Sequence, residues 1–182
     1  MPPIAPLRTP RLLLREHIPA DLAAFCALFS DPLVRRYEGE LVSFEQSANR
    51  LDEILAMMDC EPRTQYRLAI TMPPSDELIG VISMDINLPD IHEWETGWIV
   101  NPRYWGQGIA PEAACALQRY AFDNLDANRV VAFCHADNLA STRVMEKIGM
   151  RREGRLRETR WLNGEKFDEF IYTILRSDPR SC

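Results

Sequence analysis

With 182 residues, 46% of them hydrophobic, the chain is long enough to bury a core of its own, and we expect one domain over residues 1–182. Its 21 Lys and Arg against 27 Asp and Glu give a formal net charge of −6, which argues against binding to nucleic acid. The first residues lack the pattern of a signal peptide and no apolar run approaches the ~18 residues that span a membrane, so we expect a cytoplasmic protein.

The first third of the chain is expected to be a strand followed by two helices. The strand covers residues 11–15, and the first helix follows Pro19, with apolar residues at helical spacing over 22–29. The second helix begins after Ser43, because Gln46 lies where it can complete a capping box with that serine. The predicted apolar stripe of this helix is Ala48, Leu51, Leu55 and Met58.

Strand and helix patterns alternate through the rest of the chain. Strands are predicted over residues 66–70, 78–86, 94–100, 130–134 and 167–175, with helices from Pro111 and over 138–148. Asn163-Gly164 lies between two extended runs, of which the second is the last strand, and is a strong hairpin signal. The resulting order, β-α-α-β-β-β-α-β-α-β-β, predicts an α+β (mixed α/β) domain around one largely antiparallel sheet.

The segment from Arg103 to Ala110 is predicted to bind an anion. It follows the strand 94–100 and precedes a helix, so it meets a helix N-terminus, where N–H groups lack partners and the dipole is positive. Gly106 and Gly108 allow the backbone to turn sharply and to approach a phosphate closely. Successive N–H groups in such a turn suit a pyrophosphate.

Two other kinds of phosphate-binding loop do not fit this segment. A P-loop requires Gly-Lys-Ser or Gly-Lys-Thr, and no lysine follows Gly108. The dinucleotide fingerprint requires a third glycine, where this chain has Pro111, and a place early in the chain.

Three separated segments carry a resemblance to one family. They are Glu-Thr-Gly-Trp-Ile-Val-Asn-Pro at 95–102, Arg-x-x-Gly-x-Gly-x-Ala at 103–110, and Asn-x-x-Ser followed by Glu-Lys-x-Gly within 138–150. Together they resemble the GNAT superfamily of N-acetyltransferases, and the third, with the opening residues 7–15, is similar to its ribosomal-protein N-terminal acetyltransferases. The resemblance implies the GNAT fold, a largely antiparallel twisted sheet of about seven strands flanked by about four helices and splayed between the fourth and fifth strands.

The resemblance also implies that the chain binds acetyl-CoA as a co-substrate. The backbone at Trp98, Ile99 and Val100 would pair with the pantetheine arm, as an added strand pairs with a sheet edge. Asn138 would reach a pantetheine amide, and Arg143 is a candidate for the CoA phosphates or else a solvated surface residue. The residues implied to hold the pyrophosphate are Arg103, Gly106, Gln107, Gly108, Ile109 and Ala110.

Acetyl transfer to an amine requires that the ammonium group lose a proton, and Glu95 is the predicted base. It matches a carboxylate position that is often catalytic in the family, and burial beside Trp94 or Trp98 would raise its pKa toward neutrality. A strand carboxylate that orients substrate or pairs with an arginine is the alternative. Glu93, two residues earlier on the same face, is the second candidate and a predicted substrate contact.

Ser141 is the predicted acid that donates to the departing thiolate. Many members of the family carry a tyrosine at the position equivalent to Met145, and methionine cannot donate. Ser141 lies one turn earlier and matches the serine of the ribosomal-protein branch. The alternative for its hydroxyl is a local bond to the backbone.

The cysteines favour direct attack by the amine in a ternary complex. None lies in the three motifs, which argues against an acyl-cysteine intermediate. The five cysteines include no Cys-x-x-Cys pair, and Cys26, Cys115 and Cys134 fall in helix or strand patterns as small core residues, which suits a reducing compartment.

The acceptor amine is left open between a protein N-terminus and a small molecule. Tyr37, Trp161 and Tyr172 would line its pocket, because the segments that carry them flank the pocket in the family, although ordinary packing is the alternative for each. The histidines show no metal-binding spacing, so no metal is expected. A non-catalytic acyl-CoA-binding or ribosome-associated module, or a transferase of another acyl group, is the alternative function. The branch also allows a homodimer.

Overall fold

The computed structural model describes residues 4–162 and 164–179. Within these ranges the chain forms eight strands and five α-helices, and no helix is both long enough and apolar enough to cross a membrane. In chain order the elements are β1 (Leu7–Arg8), β2 (Leu13–Glu16), α1 (Leu22–Phe29), α2 (Pro32–Arg35), α3 (Phe44–Met57), β3 (Gln65–Thr71), β4 (Leu78–Leu88), β5 (Glu93–Val100), α4 (Ile109–Asn124), β6 (Arg129–His135), α5 (Leu139–Lys147), β7 (Arg151–Leu162) and β8 (Glu165–Leu175).

One sheet runs through the described residues in the strand order β1-β2-β3-β4-β5-β6-β8-β7. All neighbours are antiparallel except β5 and β6, which are parallel. The predicted largely antiparallel sheet is therefore confirmed. The predicted first strand is β2, and the short β1 before it was not predicted, so β5 and β6 correspond to the fourth and fifth strands of the prediction.

Different helices cover the two faces of this sheet, because successive side chains of a strand point to opposite faces. On β3, Leu68 and Ile70 pack into a larger core with α4 and α5, whereas Ala69 packs into a smaller core with α1 and α3. The larger core contains Trp94, Leu117, Met145 and Tyr172, and the smaller one contains Phe25, Leu28, Leu51 and Val81.

The predicted start of α3 is confirmed, but its buried face is turned slightly. The Ser43 Oγ accepts from the Gln46 N–H at 3.1 Å, and the Gln46 Oε1 accepts from the Ser43 N–H at 2.8 Å, which forms the expected capping box. Leu55 and Met58 of the predicted stripe, like Ala48, are only half-buried. The buried residues of the helix are Ser47, Leu51 and Ile54, because the face that they form meets α1 and the sheet.

The structure confirms the predicted hairpin and contains one disulfide-bonded cysteine among the described residues. β7 and β8 pair from Leu162 and Glu165, which confirms the hairpin, and Gly164 has a φ of +83°, while Asn163 lies outside the described residues. Cys26, Cys60 and Cys134 are free, whereas Cys115 packs partly buried against the larger core and is disulfide-bonded.

Arg15 ties the start of α1 to the turn between β3 and β4. Its guanidinium donates to both carboxylate oxygens of the buried Asp21, at 2.9 and 2.8 Å, and its Nε donates to Asp76 at 2.7 Å. Burial alone would raise the pKa of Asp21, but hydrogen bonds from Arg15 and the Ile18 N–H hold that pKa well below its usual range.

We expect Asp21→Asn to lower the free energy of unfolding at pH 7 by about 3–5 kcal/mol, because it leaves a buried guanidinium without its partner. Since the pKa of Asp21 is lowered by folding, its contribution is present above the unfolded pKa of ~3.9 and is lost as pH falls, so the difference from wild type should narrow in acid. Asp76→Asn is the control, since that carboxylate is largely exposed and should contribute less than about 1 kcal/mol. Equal losses in urea unfolding for both variants would contradict this account.

Candidate active site

The sheet opens between β5 and β6. The two strands pair only over Glu93, Trp94 and Glu95, which face Arg129, Val130 and Val131, and they diverge beyond that point. β4 stays paired with β5 as far as Val100, and β6 stays paired with β8 as far as His135. The end of β5 therefore presents a strand edge that no described strand covers.

The backbone groups along this edge belong to Trp98 and Val100. The Asn101 N–H donates to the carbonyl of Ile79, a residue of β4, at 2.8 Å. Since the groups of an antiparallel strand alternate between its two sides, Ile99 also faces β4, whereas Trp98 and Val100 direct their N–H and C=O groups into the opening. The predicted backbone contact of Ile99 is therefore corrected, because its backbone groups are used by the sheet.

The side chain of Trp105 forms a hydrogen bond with one of these backbone groups. Its indole Nε1 donates to the Val100 carbonyl at 2.6 Å, although half of the residue is exposed. Within the part of the chain that the structure describes, the Val100 N–H and both backbone groups of Trp98 are left for a ligand.

The loop after β5 presents a row of free N–H donors. Gly106 and Gly108 have φ angles of +74° and +77°, in the left-handed region that favours glycine. Gly108 is the N-cap of α4 and supplies no capping side chain. Among the described residues, no acceptor engages the N–H groups from Gly106 to Ala110, so Gln107 and Ile109 contribute donors as well. A Cβ on Gly106 would meet no atom within 4 Å, so this side of the loop is open.

Arg11 holds the loop from its other side, a contact that sequence reasoning missed. Its Nη1 donates to the Gln107 carbonyl at 2.9 Å, and its Nε donates to Glu112 at 2.7 Å. Because a peptide unit is planar, the Gly108 N–H points away from Arg11, toward the open side. Burial alone would raise the pKa of Glu112, but hydrogen bonds from Thr9 and Arg11 hold it below its ordinary value.

The remaining candidates for cofactor contacts are two exposed arginines and one asparagine that caps a helix. Arg103 and Arg143 are exposed, and within the described part of the chain neither forms an ion pair. The Asn138 Oδ1 accepts from the Ser141 N–H at 3.1 Å and thereby caps α5. The Asn138 carbonyl oxygen is thus used within the protein, and only its amide nitrogen is left for a ligand.

Two cavities meet on the side of the sheet that α1 and α3 cover. The smaller, of about 210 Å³, reaches the β7–β8 hairpin, and the larger, of about 460 Å³, lies against α1 and α3. Three residues line both cavities, namely Glu38, Glu95 and Gly97. Because Gly97 has no side chain, the passage between the cavities stays open beside Glu95.

Glu95 is half-buried where the two cavities meet. Burial raises the pKa of its carboxyl, and the nearby carboxylates of Asp85 and Glu169 raise it further, while Arg160 and Arg67 act in the opposite direction. Its raised pKa makes it a stronger base than an ordinary glutamate, as the sequence predicted from burial.

The contacts of Glu93 indicate a structural role. It is 4% exposed, forms an ion pair with Arg129, and accepts from the Asn87 side chain at 2.6 Å. It lines neither of the two cavities. The geometry therefore favours Glu95 over Glu93, both as the base and as a substrate contact.

Ser141 is not brought to Glu95. It is half-buried in the first turn of α5 and lines neither cavity, and its hydroxyl has no hydrogen-bond partner among the described residues. Met145, one turn later, is fully buried in the larger core. The role of Ser141 as the acid stays a prediction.

The three aromatic candidates separate into two groups. Tyr37 and Trp161 line the smaller cavity, and Tyr37 donates its hydroxyl to the Asp137 carbonyl at 3.2 Å. Tyr172 is 1% exposed, packs in the larger core and donates to Glu146 at 3.3 Å. The prediction that Tyr172 lines the acceptor pocket is corrected, because its strand position faces the core.

Cys134 also lines the smaller cavity, although no motif pointed to it. It is buried, and burial raises the pKa of its thiol. Among the described residues, no group of three or more His, Cys, Asp or Glu side chains is arranged to hold a metal ion.

Comparisons with known proteins agree with this geometry. Residues 11–151 match the family model described as an acetyltransferase (GNAT) domain. The uncharacterized N-acetyltransferase YnaD of Bacillus subtilis (strain 168) is 34% identical over 172 residues, which cover 94% of this chain and 98% of that protein. The ribosomal-protein-serine acetyltransferase of Escherichia coli (strain K12) is 34% identical over 97 residues, which cover 53% of this chain and 54% of that protein.

Solved structures show the same fold. A GNAT-family acetyltransferase from Bacillus anthracis superimposes with a TM-score of 0.85 and 32% identity, covering 96% of this chain and 100% of that one. Other chains of this fold were solved with coenzyme A or acetyl-CoA bound. These matches confirm the resemblance and the fold class predicted from the sequence.

Proposed function

The chain belongs to the GNAT acetyltransferase domain family and is an N-acetyltransferase, and we propose that it moves the acetyl group of acetyl-CoA to a primary amine by direct attack in a ternary complex. The acceptor is a protein N-terminus or a small-molecule amine.

The observation that carries the proposal is the junction between the open edge of β5 and the row of free N–H groups. Trp98 and the Val100 N–H would pair with the amide-bearing pantetheine arm, as a strand pairs with a sheet edge. The N–H groups from Gly106 to Ala110 would hold the pyrophosphate, assisted by the positive end of the α4 dipole. This arrangement would place the thioester in the opening beside Glu95.

Glu95 would then accept the proton of the acceptor ammonium. A free amine has a pKa near ~8 to ~10 and is mostly protonated at neutral pH, so a base is required before attack. The nitrogen lone pair attacks the thioester carbonyl carbon, a C–N bond forms, and the C–S bond breaks with its electron pair left on sulfur. The Trp98 or Val100 N–H would stabilise negative charge on the carbonyl oxygen.

Direct attack is also supported by the state of Cys134. Among the cysteines of the described ranges, Cys134 is the one that lines a cavity together with Glu95. Its raised pKa keeps the thiol protonated, and a protonated thiol is a poor nucleophile. Ser141 would supply the proton that the leaving sulfur needs, and the proton that the attacking nitrogen loses as the amide forms would replace it on the Ser141 hydroxyl.

We expect acetyl-CoA to raise the thermal midpoint. A ligand that binds only the folded state, at ~100 times its dissociation constant, should add about 2.7 kcal/mol. NAD and ATP carry pyrophosphates but no pantetheine, so they should stabilise much less. Differential scanning fluorimetry with the three ligands at equal concentrations tests the assignment. Equal shifts from all three, or no shift from acetyl-CoA, would show that the edge of β5 and the loop do not form this site.

A further inference from the structure

A turn between α2 and α3 carries a carboxylate, Glu38, to the point where the two cavities meet. Arg35, the last residue of α2, fixes the turn, since its side chain donates to the carbonyls of Glu38 at 2.9 Å and Glu40 at 3.0 Å. Gly39 has a φ of +106°, which the turn requires. Tyr37 ties the same turn to the loop after β6 through the Asp137 carbonyl.

The Glu38 carboxylate has no hydrogen bond or ion pair with any other residue of the described ranges. The nearby cations have other contacts. Arg160 pairs with Glu169 at 3.1 Å, Arg35 donates to backbone carbonyls, and Arg50 lies 5.2 Å above the Phe29 ring. Glu38 is exposed to solvent, although the neighbouring protein raises its pKa. A cationic group of a ligand in the cavities would therefore meet a carboxylate that no described residue engages.

The walls of the smaller cavity suit a cation as well. Three carboxylates and one guanidinium line it, from Glu38, Glu95, Glu169 and Arg160. Its aromatic lining residues are Tyr37, Phe133, Trp161 and Phe167, and aromatic faces attract cations. The reacting nitrogen must be neutral when it attacks, so a second carboxylate would not stabilise it through the reaction. A second nitrogen of the acceptor, which does not react and stays protonated, would be stabilised by that carboxylate.

We propose that Glu38 binds a second, non-reacting cationic group of the acceptor, so that this enzyme prefers amines that carry two positive charges. The inference rests on the proposed function, since it assigns the acceptor class of the same cleft. Glu38 is then a specificity residue, whereas Glu95 takes the proton of the reacting amine.

Three acceptors of similar length test the proposal, namely cadaverine, pentylamine and 5-aminopentanoate, each with acetyl-CoA and wild-type protein. We expect kcat/KM to be highest for cadaverine, beyond the statistical advantage of its two equivalent ends, and lowest for 5-aminopentanoate, whose carboxylate is repelled. At low salt, kcat/KM for cadaverine should exceed that for pentylamine about tenfold, which is the effect expected of one charge-assisted contact. This ratio should shrink as salt is added.

Glu38→Gln should remove most of this preference by raising the KM for cadaverine, with kcat little changed. Glu40→Gln is the matched control, since Glu40 lies in the same turn but lines neither cavity. Glu38→Asp keeps the charge and should keep part of the preference. Equal kcat/KM for the three acceptors, or a preference that survives in Glu38→Gln, would overturn the inference while the transferase function stands. Failure to acetylate any amine would overturn both.

Discussion

Replacing Glu95 with Gln is expected to lower kcat by about 10²- to 10⁴-fold, the usual contribution of a general base, while the affinity for acetyl-CoA barely changes. The amide keeps the shape of the side chain where the two cavities meet but cannot accept a proton. Raising the pH should partly restore the rate, because more of the acceptor amine then arrives already deprotonated.

The pH–rate profile of the wild-type enzyme should show the ionisation of Glu95. Burial raises the pKa of Glu95, so its carboxylate forms, and activity rises, at a pH above the ordinary ~4.3 of glutamate. That acidic limb should be absent from the Glu95→Gln profile. Ser141→Ala should also lower kcat, but without rescue at alkaline pH, since its task follows deprotonation.

Glu93→Gln is the matched control for this experiment. It makes the same change two residues earlier, where the carboxylate is buried against Arg129. We expect a lower thermal midpoint, because the arginine loses its partner, with kcat retained by the folded protein. Full activity of Glu95→Gln with an unchanged acidic limb would show that the base lies elsewhere.

Gly108→Val is expected to weaken coenzyme A binding by about tenfold to a hundredfold with the fold retained. A β-branched residue at a φ of +77° costs on the order of 1–3 kcal/mol, so the loop should relax and lose its array of N–H groups. A Cβ at this position would meet the Arg11 Nη2 at 3.5 Å, which is ordinary contact, so the effect should come from the backbone rather than from a clash.

Gly164→Val controls for the general cost of such a substitution. Gly164 has a φ of +83°, and a Cβ there meets nothing within 4 Å, but it lies in the β7–β8 hairpin. Calorimetric titration with coenzyme A should give wild-type affinity for this variant. Unchanged affinity in Gly108→Val would show that the loop does not hold the pyrophosphate.

The parts of the site that depend on neighbours in sequence could be predicted from the sequence. The left-handed glycines and the free N–H groups follow from Gly-x-Gly placed between a strand and a helix, and the Ser43 cap follows from Gln46 three residues on. Burial of Glu95 could also be anticipated, because it lies inside an apolar strand.

What could not be predicted depends on partners that are distant in the chain. A bulge between Ile86 and Leu88 brings Asn87 to Glu93, so Glu93 is held by β4 and by Arg129 of β6 rather than facing substrate. Whether Ile99 or its neighbours face the opening depends on the register with β4. The position of Glu38 depends on a short turn that no sequence pattern marks.

The most direct test of direct acetyl transfer is to vary acetyl-CoA and an amine acceptor independently and to measure free CoA thiol and acetylated amine together. The acceptors should include small amines and peptides that begin with Ala, Ser or Thr. We expect one thiol for each acetylated amine and initial-rate lines that intersect in double-reciprocal plots, as a ternary complex requires. Thiol release that does not depend on the amine, or parallel lines from an acyl-enzyme, would contradict the account.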